Sequence, residues 1–431
     1  MMPNSWSVES LGSLTNKVGS GVTPKGGSDS YQSSGIPLIR SQNVLWGKLD
    51  LSDVAYIDDK QHNKMKGSFV YKNDVLLNIT GASIGRVAVS DIDEANVNQH
   101  VCIIRSDDLH PGYLKSFLLS FQGQKQIEQC QAGGNRQGLN FEQIKSFKIP
   151  FPPLPEQQKI AKILSTWDKA ISTTERLIKN STQQKKALMQ QLLTGKRCLL
   201  STNSGFSVRD GFAKSKLGEL PDDWNLSLIP KFYWFQEGPG VRKYQFTETG
   251  VKLLNGTNIQ KSRVDLTTTK THISEDEAYG GYKHFLADSG DLIIACSGIS
   301  VDRFDEKIAF LEDEHLPLCM NTSTMRFKVK KGVKASLEFL RYFMMSPLFK
   351  NQIRRQITGS AQLNFGPSHV EKCYIALPSY EEQERIAAVL INADKEIDLL
   401  EQQLADLQQE KKALMQVLLT GKKRVKLEEL E

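Results

Sequence analysis

The feature of this 431-residue sequence that most constrains its fold is an internal repeat. Residues 156–196 and 382–422 align without a gap at an offset of 226 positions, and 21 of the 41 aligned residues are identical. Both copies begin with Glu-Gln and end with Leu-Leu-Thr-Gly-Lys. A repeat of this length fixes the architecture, because each copy must belong to an equivalent structural element. The chain is therefore predicted to consist of two related halves.

Both copies are predicted to be long helices. Prolines precede each copy, and Gly195 and Gly421 follow the last apolar positions, where a left-handed C-cap is favoured. From Ile386 to Leu418 the apolar positions alternate spacings of four and three, which is typical of a coiled-coil seam. The first copy has the same seam with a more polar middle. A helix of about 38 residues would be about 57 Å long.

The charges of the two helical segments differ in sign. Residues 151–197 carry a net charge of +6, whereas residues 378–431 carry −4. Unlike charges favour pairing of the two helices and penalise pairing of like with like. We therefore expect an intramolecular two-helix coiled coil. The alternative is that each helix packs separately on its own globular domain.

The segments ahead of the helices are predicted to be globular and α+β. They resemble each other faintly at residues 35–44 and 250–259, and again at residues 74–81 and 291–298. Short apolar runs bounded by Gly, Asp and Asn indicate strands, and helices are expected near residues 112–130 and 335–356. Residues 198–220 are polar and rich in Ser, Gly and Lys, which predicts a linker between the halves.

Several function classes are disfavoured by the sequence. The six cysteines and seven histidines are scattered without metal-ligand spacing, so no metal site is expected. No apolar run reaches the length of a membrane span, and the start lacks a signal-peptide pattern, which together predict a cytoplasmic protein. There is no amino-methyltransferase motif, no P-loop and no G-x-S-x-G. We expect no catalytic residues and no cofactor in this chain.

These features resemble the specificity subunit of type I restriction–modification systems. The resemblance rests on Pro-Pro-Leu-Pro-Glu-Gln-Gln-Lys-Ile at residues 152–160 and on the paired Leu-Leu-Thr-Gly-Lys endings. It also rests on Thr-Gly-Ala-Ser-Ile-Gly-Arg at residues 80–86, Asn-Gln-His at 98–100 and Leu-Pro-Asp-Asp-Trp at 220–224. The second half departs from the pattern at residues 297–303, which makes transfer of single DNA contacts to that half less safe.

The resemblance implies two target-recognition domains, each reading half of a bipartite site in double-stranded DNA. The helices would form an antiparallel coiled coil with pseudo-two-fold symmetry that spaces the domains and docks two methyltransferase subunits. Restriction and translocation subunits would join the complex, and S-adenosylmethionine, ATP and Mg²⁺ would be bound by those partners. The residues expected at the methyltransferase docking site are Glu156, Gln157, Ile160, Glu382, Gln383 and Ile386.

The predicted organisation follows from the repeat and this resemblance. Recognition domains are expected at residues 1–152 and 221–378, and the repeat helices at residues 153–197 and 379–425. The linker would occupy residues 198–220, and residues 426–431 would form a short tail.

The candidate DNA contacts lie in loops dense in hydrogen-bonding side chains. Arg reads guanine, Asn and Gln read adenine, and Lys and hydroxyl groups bind phosphates. In the first domain the candidates are Thr23, Lys25, Arg40, Ser41, Gln42, Asn43, Thr80, Ser83, Arg86, Asn135, Arg136 and Gln137. In the second they are Arg242, Lys243, Tyr244, Asn255, Thr257, Asn258, Ser297, Ser300, Arg303, Ser360 and Gln362.

The same residues could also have purely structural roles. Each loop could be an ordinary Gly/Asn turn, and Asn98 and His100 could be structural hydrogen-bonders instead of base readers. The cations after each helix could simply complement its dipole. For the whole chain, the rivals are an enzyme whose motifs have diverged and a coiled-coil adaptor whose domains bind protein.

Overall fold

The computed structural model describes residues 3–131, 138–199, 206–357 and 362–427. The chain divides into two compact units. Unit 1 is formed by Met1–Leu177 with Leu400–Glu431, and unit 2 by Ile178–Leu399. Each unit therefore contains one globular domain and one half of each long helix.

Unit 1 is built from short strands and helices. Its strands are β1 (Ser7–Ser10), β2 (Lys17–Ser20), β3 (Ile36–Ile39), β4 (Ala55–Ile57), β5 (Phe69–Val70), β6 (Val75–Asn78), β7 (Val87–Val89), β8 (Ala95–Val97), β9 (Val101–Arg105) and β10 (Lys148–Phe151). Its helices are α1 (Asp59–Lys64), α2 (Pro111–Leu119), α3 (Phe121–Gln131), α4 (Phe141–Lys145) and the first part of α5 (Leu154–Leu193).

The core of unit 1 surrounds a four-stranded antiparallel sheet with the order β2-β9-β6-β7. Alternate residues of a strand face opposite sides of a sheet. Accordingly, Leu76 and Ile103 pack in one apolar cluster with the second sheet, β4-β3-β8-β5. Val75 and Leu77 pack on the other side against α2 and the long helices. The central strands are thus buried on both faces.

Unit 2 consists of the second part of α5 and the elements that follow it. Its strands are β11 (Arg197–Leu199), β12 (Phe206–Val208), β13 (Phe212–Ser215), β14 (Gly218–Pro221), β15 (Asn225–Leu228), β16 (Tyr233–Glu237), β17 (Val251–Leu254), β18 (Ile259–Gln260), β19 (Arg263–Val264), β20 (His272–Ile273), β21 (Leu292–Ala295), β22 (Ile299–Ser300), β23 (Ile308–Phe310), β24 (Leu318–Met320), β25 (Thr324–Val329), β26 (Gln362–Leu363) and β27 (Tyr374–Leu377). Its helices are α6 (Glu275–Tyr279), α7 (Leu337–Met345), α8 (Pro347–Gln356), α9 (Pro367–Val370) and the first part of α10 (Tyr380–Leu418).

The sheet order of unit 2 repeats that of unit 1. Its main sheet is β16-β25-β21-β23, and its second sheet is β20-β17-β24. In both units the central strand of the second sheet pairs antiparallel with one neighbour and parallel with the other. The duplication detected in the helices therefore extends to the globular domains, although their sequences have diverged.

Two local expectations differ from the structure. The helices expected near 112–130 and 335–356 are each broken in two, at Ser120 and Ser346, whose hydroxyls donate to the carbonyls of Phe117 and Phe343. The predicted linker contains two hairpins, β11–β12 and β13–β14. Turn-forming residues separate hairpin strands as readily as they fill a linker.

The long helices run antiparallel within each unit. In unit 1, Lys411 of α10 forms an ion pair with Asp168 of α5 at 2.5 Å, and Lys115 of α2 reaches the same carboxylate at 3.1 Å. In unit 2, Lys185 of α5 pairs with Asp394 of α10, beside Arg341 of α7 at 3.9 Å. The prediction of an α+β chain in which each domain is followed by a long helix is confirmed.

The ion pairs between the helices are reciprocal, which the net charges did not predict. The three pairs of equivalent residues, Lys185/Lys411, Asp168/Asp394 and Lys115/Arg341, are each separated by the repeat offset of 226. The lysine of either copy therefore binds the aspartate of the other. In unit 1 the cation, Lys411, comes from α10, the helix with net negative charge. The register of the two helices therefore follows individual ion pairs and not the net charge of each helix.

Substituting Asp168 by asparagine is expected to destabilise unit 1 by about 2 kcal/mol at pH 7, because two largely enclosed lysines lose their carboxylate. Burial alone would raise the pKa of Asp168, but Lys115 and Lys411 outweigh it and hold that pKa below its ordinary value. This stabilisation is therefore complete above about pH 4 and is lost as the pH falls through the lowered folded-state pKa. Urea unfolding between pH 3 and pH 7 measures it. Glu401→Gln, on the exposed surface of α10, is the control, and equal acid sensitivity in Asp168→Asn and the original chain would contradict the assignment.

Candidate nucleic-acid interface

The topology of unit 1 brings four loops to one edge of its sheets. Strands β2 and β6 end beside the start of β9, with Ser20 and Leu77 both opposite Cys102. Strand β3 runs parallel to β8, so the loop after β3 lies next to the β8–β9 connection at residues 98–100. The loops at residues 21–25, 40–43, 79–86 and 98–100 therefore meet at this edge.

Side chains join these loops to one another. Asn78, at the end of β6, donates to the carbonyl oxygens of Ser41 at 2.8 Å and Val44 at 3.2 Å. The hydroxyl of Thr80 lies 2.5 Å from Nδ1 of His100. A backbone hydrogen bond also joins two of these loops, since Gly21 N–H donates to the Asn98 carbonyl at 3.2 Å. The edge is a braced surface and not a set of independent turns.

The predicted DNA-contact residues of unit 1 differ in their exposure to solvent. Thr23, Lys25 and Gln42 are exposed. The half-buried ones are Arg40, Ser41, Thr80, Ser83 and Arg86. Lys25 and Arg86 make no ion pair with any described residue. Asn135, Arg136 and Gln137 lie outside the described residues.

Asn43 and Asn258 have structural roles, which corrects their assignment as base readers. Asn43 is 2% exposed; it accepts from Arg40 N–H at 2.9 Å and donates to the Asp50 carbonyl at 3.0 Å. Asn258 is 7% exposed and accepts from Asn255 N–H at 2.9 Å. Both amides are turned inward and hold their loops closed.

Arg40 is also partly committed within the chain. Its guanidinium donates to the Asp53 carbonyl at 2.9 Å and lies 5.5 Å from the ring centroid of Tyr31. Gln42 donates to the Asp53 carboxylate at 2.8 Å. Asp53 thus holds both side chains in place while they remain accessible at the edge.

Unit 2 gathers the equivalent loops at the corresponding edge of its own sheets. Asn321, in the β24–β25 connection, donates to Asn255 Oδ1 at 2.9 Å, and Ser323 accepts from Gly256 N–H at 3.0 Å. Asn364 accepts from Gly298 N–H at 2.7 Å and from the Ser297 hydroxyl at 3.0 Å. Side chains therefore also join the loops of the second domain to one another, although the bonds connect different loops.

The candidates of unit 2 are more exposed than those of unit 1. Tyr244 is 86% exposed. The other exposed candidates are Arg242, Lys243, Thr257, Ser297, Ser300, Arg303 and Gln362, whereas Asn255 is half-buried. Arg303 pairs with Glu306 at 2.9 Å. Ser360 lies outside the described part of the chain.

Gln99 also joins two loops of unit 1, because it accepts from the Thr23 hydroxyl at 2.5 Å. Like Asn321, Ser323 and Asn364, it was absent from the predicted site. Gln99 belongs to the Asn-Gln-His motif, and Asn364 to the Leu-Asn-Phe motif shared by the two halves. The signal was therefore present, but the sequence does not reveal that these side chains bind other loops. The interpretation of Asn98 and His100 as structural hydrogen-bonders fits their contacts.

The six predicted docking residues are buried, with exposures from 1% to 5%, and the structure gives them a different role. Gln157 accepts from His110 N–H at 2.8 Å, and Gln383 accepts from Ser336 N–H at 3.0 Å, so each glutamine holds the start of a domain helix. Ile160 and Ile386 belong to the apolar cores. Their side chains fasten each long helix to its own domain.

The glutamates of the same motif are each bound to an arginine. Glu382 accepts two hydrogen bonds from Arg209, both at 3.0 Å. Glu156 accepts from Trp6 Nε1 at 3.2 Å and is paired with Arg424. In each unit a chain segment beyond the end of one long helix is thereby tied to the start of the other. Arg424 therefore forms a specific ion pair with Glu156, in addition to any favourable interaction with the dipole of α10.

One buried thiol, Cys296, lies next to the candidate site of unit 2. Burial raises the pKa of the Cys296 thiol to about 12, so this thiol next to the exposed Ser297 stays protonated at neutral pH and is a poor nucleophile. Within the described ranges no group of three or more His, Cys, Asp or Glu residues could hold a metal ion. None of the described helices is long and apolar enough to cross a membrane.

Comparison with known proteins gives a consistent assignment. The family model for the type I restriction modification DNA specificity domain matches residues 3–182 and 242–409. The MjaVIII type I restriction enzyme specificity subunit of Methanocaldococcus jannaschii is 29% identical over 90% of this chain and 89% of its own length. The putative MjaX specificity subunit of the same organism is 27% identical over 99% of this chain and 95% of its own.

Solved structures share the fold. The crystal structure of the type I restriction–modification S subunit from M. genitalium matches with a TM-score of 0.58 at 14% identity, over 97% of this chain and 98% of that one. The family model covers both halves of the sequence, including both groups of braced loops. The predicted relationship is confirmed: this chain belongs to the family of type I restriction–modification DNA specificity subunits.

Proposed function

We propose that this chain reads a bipartite DNA target, one half with each recognition domain, and carries out no chemical step itself. The observation that supports this best is the gathering of hydrogen-bonding loops at one sheet edge of each unit. Exposed cations without ion-pair partners among the described residues, such as Lys25 and Lys243, suit phosphate contacts at these edges. The hydroxyl and amide groups between them suit base edges in a groove.

The long helices would serve as the scaffold of the complex. Two methyltransferase subunits would dock against this chain and bring S-adenosylmethionine to an adenine in each half-site. Restriction and translocation subunits, which would use ATP and Mg²⁺, would join when the site is unmodified. Because the Glu-Gln motif is enclosed within each unit, docking would use the outer faces of the helices. This assignment suits a cytoplasmic protein.

Methylation mapping tests the proposal. The chain co-expressed with its methyltransferase is expected to produce methylated adenines in a bipartite motif with a fixed gap, which single-molecule sequencing detects. Exchanging residues 1–150 for those of a related chain should change one half of the motif completely and leave the other half unchanged. Exchanging residues 221–378 is the matched control and should change the other half.

Two results would contradict the proposal. An assembled complex that methylates DNA without a motif would mean that the domains do not select sequence, as expected of an adaptor. Methylation or cleavage by the purified chain alone, with cofactors supplied, would mean that the chain is itself an enzyme.

A further inference from the structure

A relay of three hydrogen bonds links three loops at the recognition edge of unit 1. The hydroxyl of Thr23 lies 2.5 Å from Gln99 Oε1, and Gln99 Nε2 lies 2.9 Å from His100 Nε2. The other ring nitrogen of His100 lies 2.5 Å from the Thr80 hydroxyl. Gln99 is exposed, so the relay lies at the surface where the predicted contacts Thr23 and Thr80 are found.

The chemistry of these groups fixes the direction of each hydrogen bond. An amide NH₂ can only donate, so Nε2 of His100 accepts the hydrogen bond from Gln99 Nε2. A neutral imidazole has one N–H group, which is then at Nδ1 and donates to Thr80 Oγ1. Gln99 Oε1 can only accept, so the Thr23 hydroxyl donates to it.

The two threonines consequently present opposite polarity to a ligand. The Thr80 hydroxyl accepts within the relay and keeps its proton, so it offers a donor. The Thr23 hydroxyl uses its one hydrogen in the bond to Gln99, so only its lone pairs remain for a ligand. A hydroxyl that is free to rotate would satisfy donors and acceptors alike and would discriminate poorly between bases.

We propose that Gln99 and His100 are positioning residues that set the polarity of Thr23 and Thr80 and thereby part of the base preference of the first half-site. This inference rests on the proposed function, since it requires that the edge of unit 1 reads DNA. It assigns Thr80 to an acceptor and Thr23 to a donor on the bound DNA.

Substituting Gln99 by glutamate keeps the size of the side chain but reverses the direction of the hydrogen bonds between residue 99, His100 and Thr80. A carboxylate can only accept, so His100 must donate to it from Nε2. At about pH 9, well above the ordinary pKa of an imidazole, the ring is neutral. Nδ1 then accepts, and the Thr80 hydroxyl must donate inward. Thr80 is thereby converted from a donor to an acceptor towards DNA, whereas Thr23 keeps its polarity.

Binding of the full-length chain in its methyltransferase complex to a library randomised at each position of the first half-site measures the effect. We expect Gln99→Glu to change the preferred base at one position by roughly tenfold, as one lost or gained hydrogen bond would give. Thr80→Val, which removes the hydroxyl, should relax that same position. Gln402→Glu, on the exposed surface of α10, controls for added negative charge and should leave the motif unchanged.

The outcomes separate this inference from the proposed function. If the original complex selects no sequence, the proposed function fails. If it selects a motif but Gln99→Glu weakens binding to all sequences equally, only the relay is overturned. The relay is also overturned if Thr80→Val and Gln99→Glu alter different positions.

Discussion

Replacing Asp291 by alanine is expected to destabilise unit 2 by about 3–5 kcal/mol, because it leaves a buried arginine without its enclosed carboxylate. The Arg326 side chain is 7% exposed and that of Asp291 is 3% exposed, with 3.3 Å between Nη1 and Oδ2. The remaining partners of the guanidinium are neutral, except for the exposed Asp288 at 3.8 Å. A loss of this size is a large share of the 5–15 kcal/mol that typically stabilises a domain.

Urea unfolding, with hydrogen exchange of the β21 and β25 amides, measures this loss. The double variant Asp291→Ala, Arg326→Met should recover part of it, because no buried charge is then left unpaired. Asp74→Ala is the matched variant in unit 1 and should cost less, since the side chain of its partner Arg105 is 29% exposed. A loss below about 1 kcal/mol for Asp291→Ala would show that solvent reaches Arg326, and would contradict a buried ion pair.

The long helices were predictable because their sequence pattern is local and is repeated. A seam with spacings of four and three over ten positions has few structural interpretations. The structure gives helices of 40 and 39 residues where about 38 were expected from the pattern. Their antiparallel pairing was also anticipated, but the net charges did not identify the reciprocal lysine–aspartate pairs. Those pairs depend on register, which composition does not contain.

The candidate site was only partly predictable. Residue type identifies groups that can bind DNA, but it does not reveal which way a side chain faces. Asn43 and the exposed Gln42 are adjacent in one loop, yet Asn43 is enclosed by backbone groups. Similarly, the Glu-Gln motif is identical in both copies, and in both copies its glutamine binds the start of a domain helix. Two copies of a repeat can share a residue because both need it for the fold, and not only because both bind the same kind of partner.

Removing the Arg86 side chain is expected to weaken binding to the DNA target by about 1–3 kcal/mol and to relax one position of the first half-site. Arg86 follows the turn that carries Thr80, is half-buried and has no ion pair with a described residue. A planar guanidinium presents its donors in a fixed fork, so it loses less freedom for each hydrogen bond that it forms to a base. Lys25 is exposed, and a flexible ammonium suits a phosphate better.

Loss of Arg86 should therefore change base preference, whereas loss of Lys25 should change the salt dependence of binding. Binding isotherms on target and mismatched duplexes, at several salt concentrations, distinguish the two effects. Lys25→Ala should weaken binding to all sequences alike and lower the slope of log K against log salt by about 1, because one phosphate contact is lost. Arg86→Ala should leave the slope nearly unchanged while the mismatch penalty at one position disappears. Lys179→Ala, on the exposed surface of α5 outside the loops, is expected to change neither quantity. If Arg86→Ala instead lowers the slope and keeps every mismatch penalty, Arg86 binds a phosphate, and base reading in unit 1 must rest on the hydroxyl and amide groups beside it.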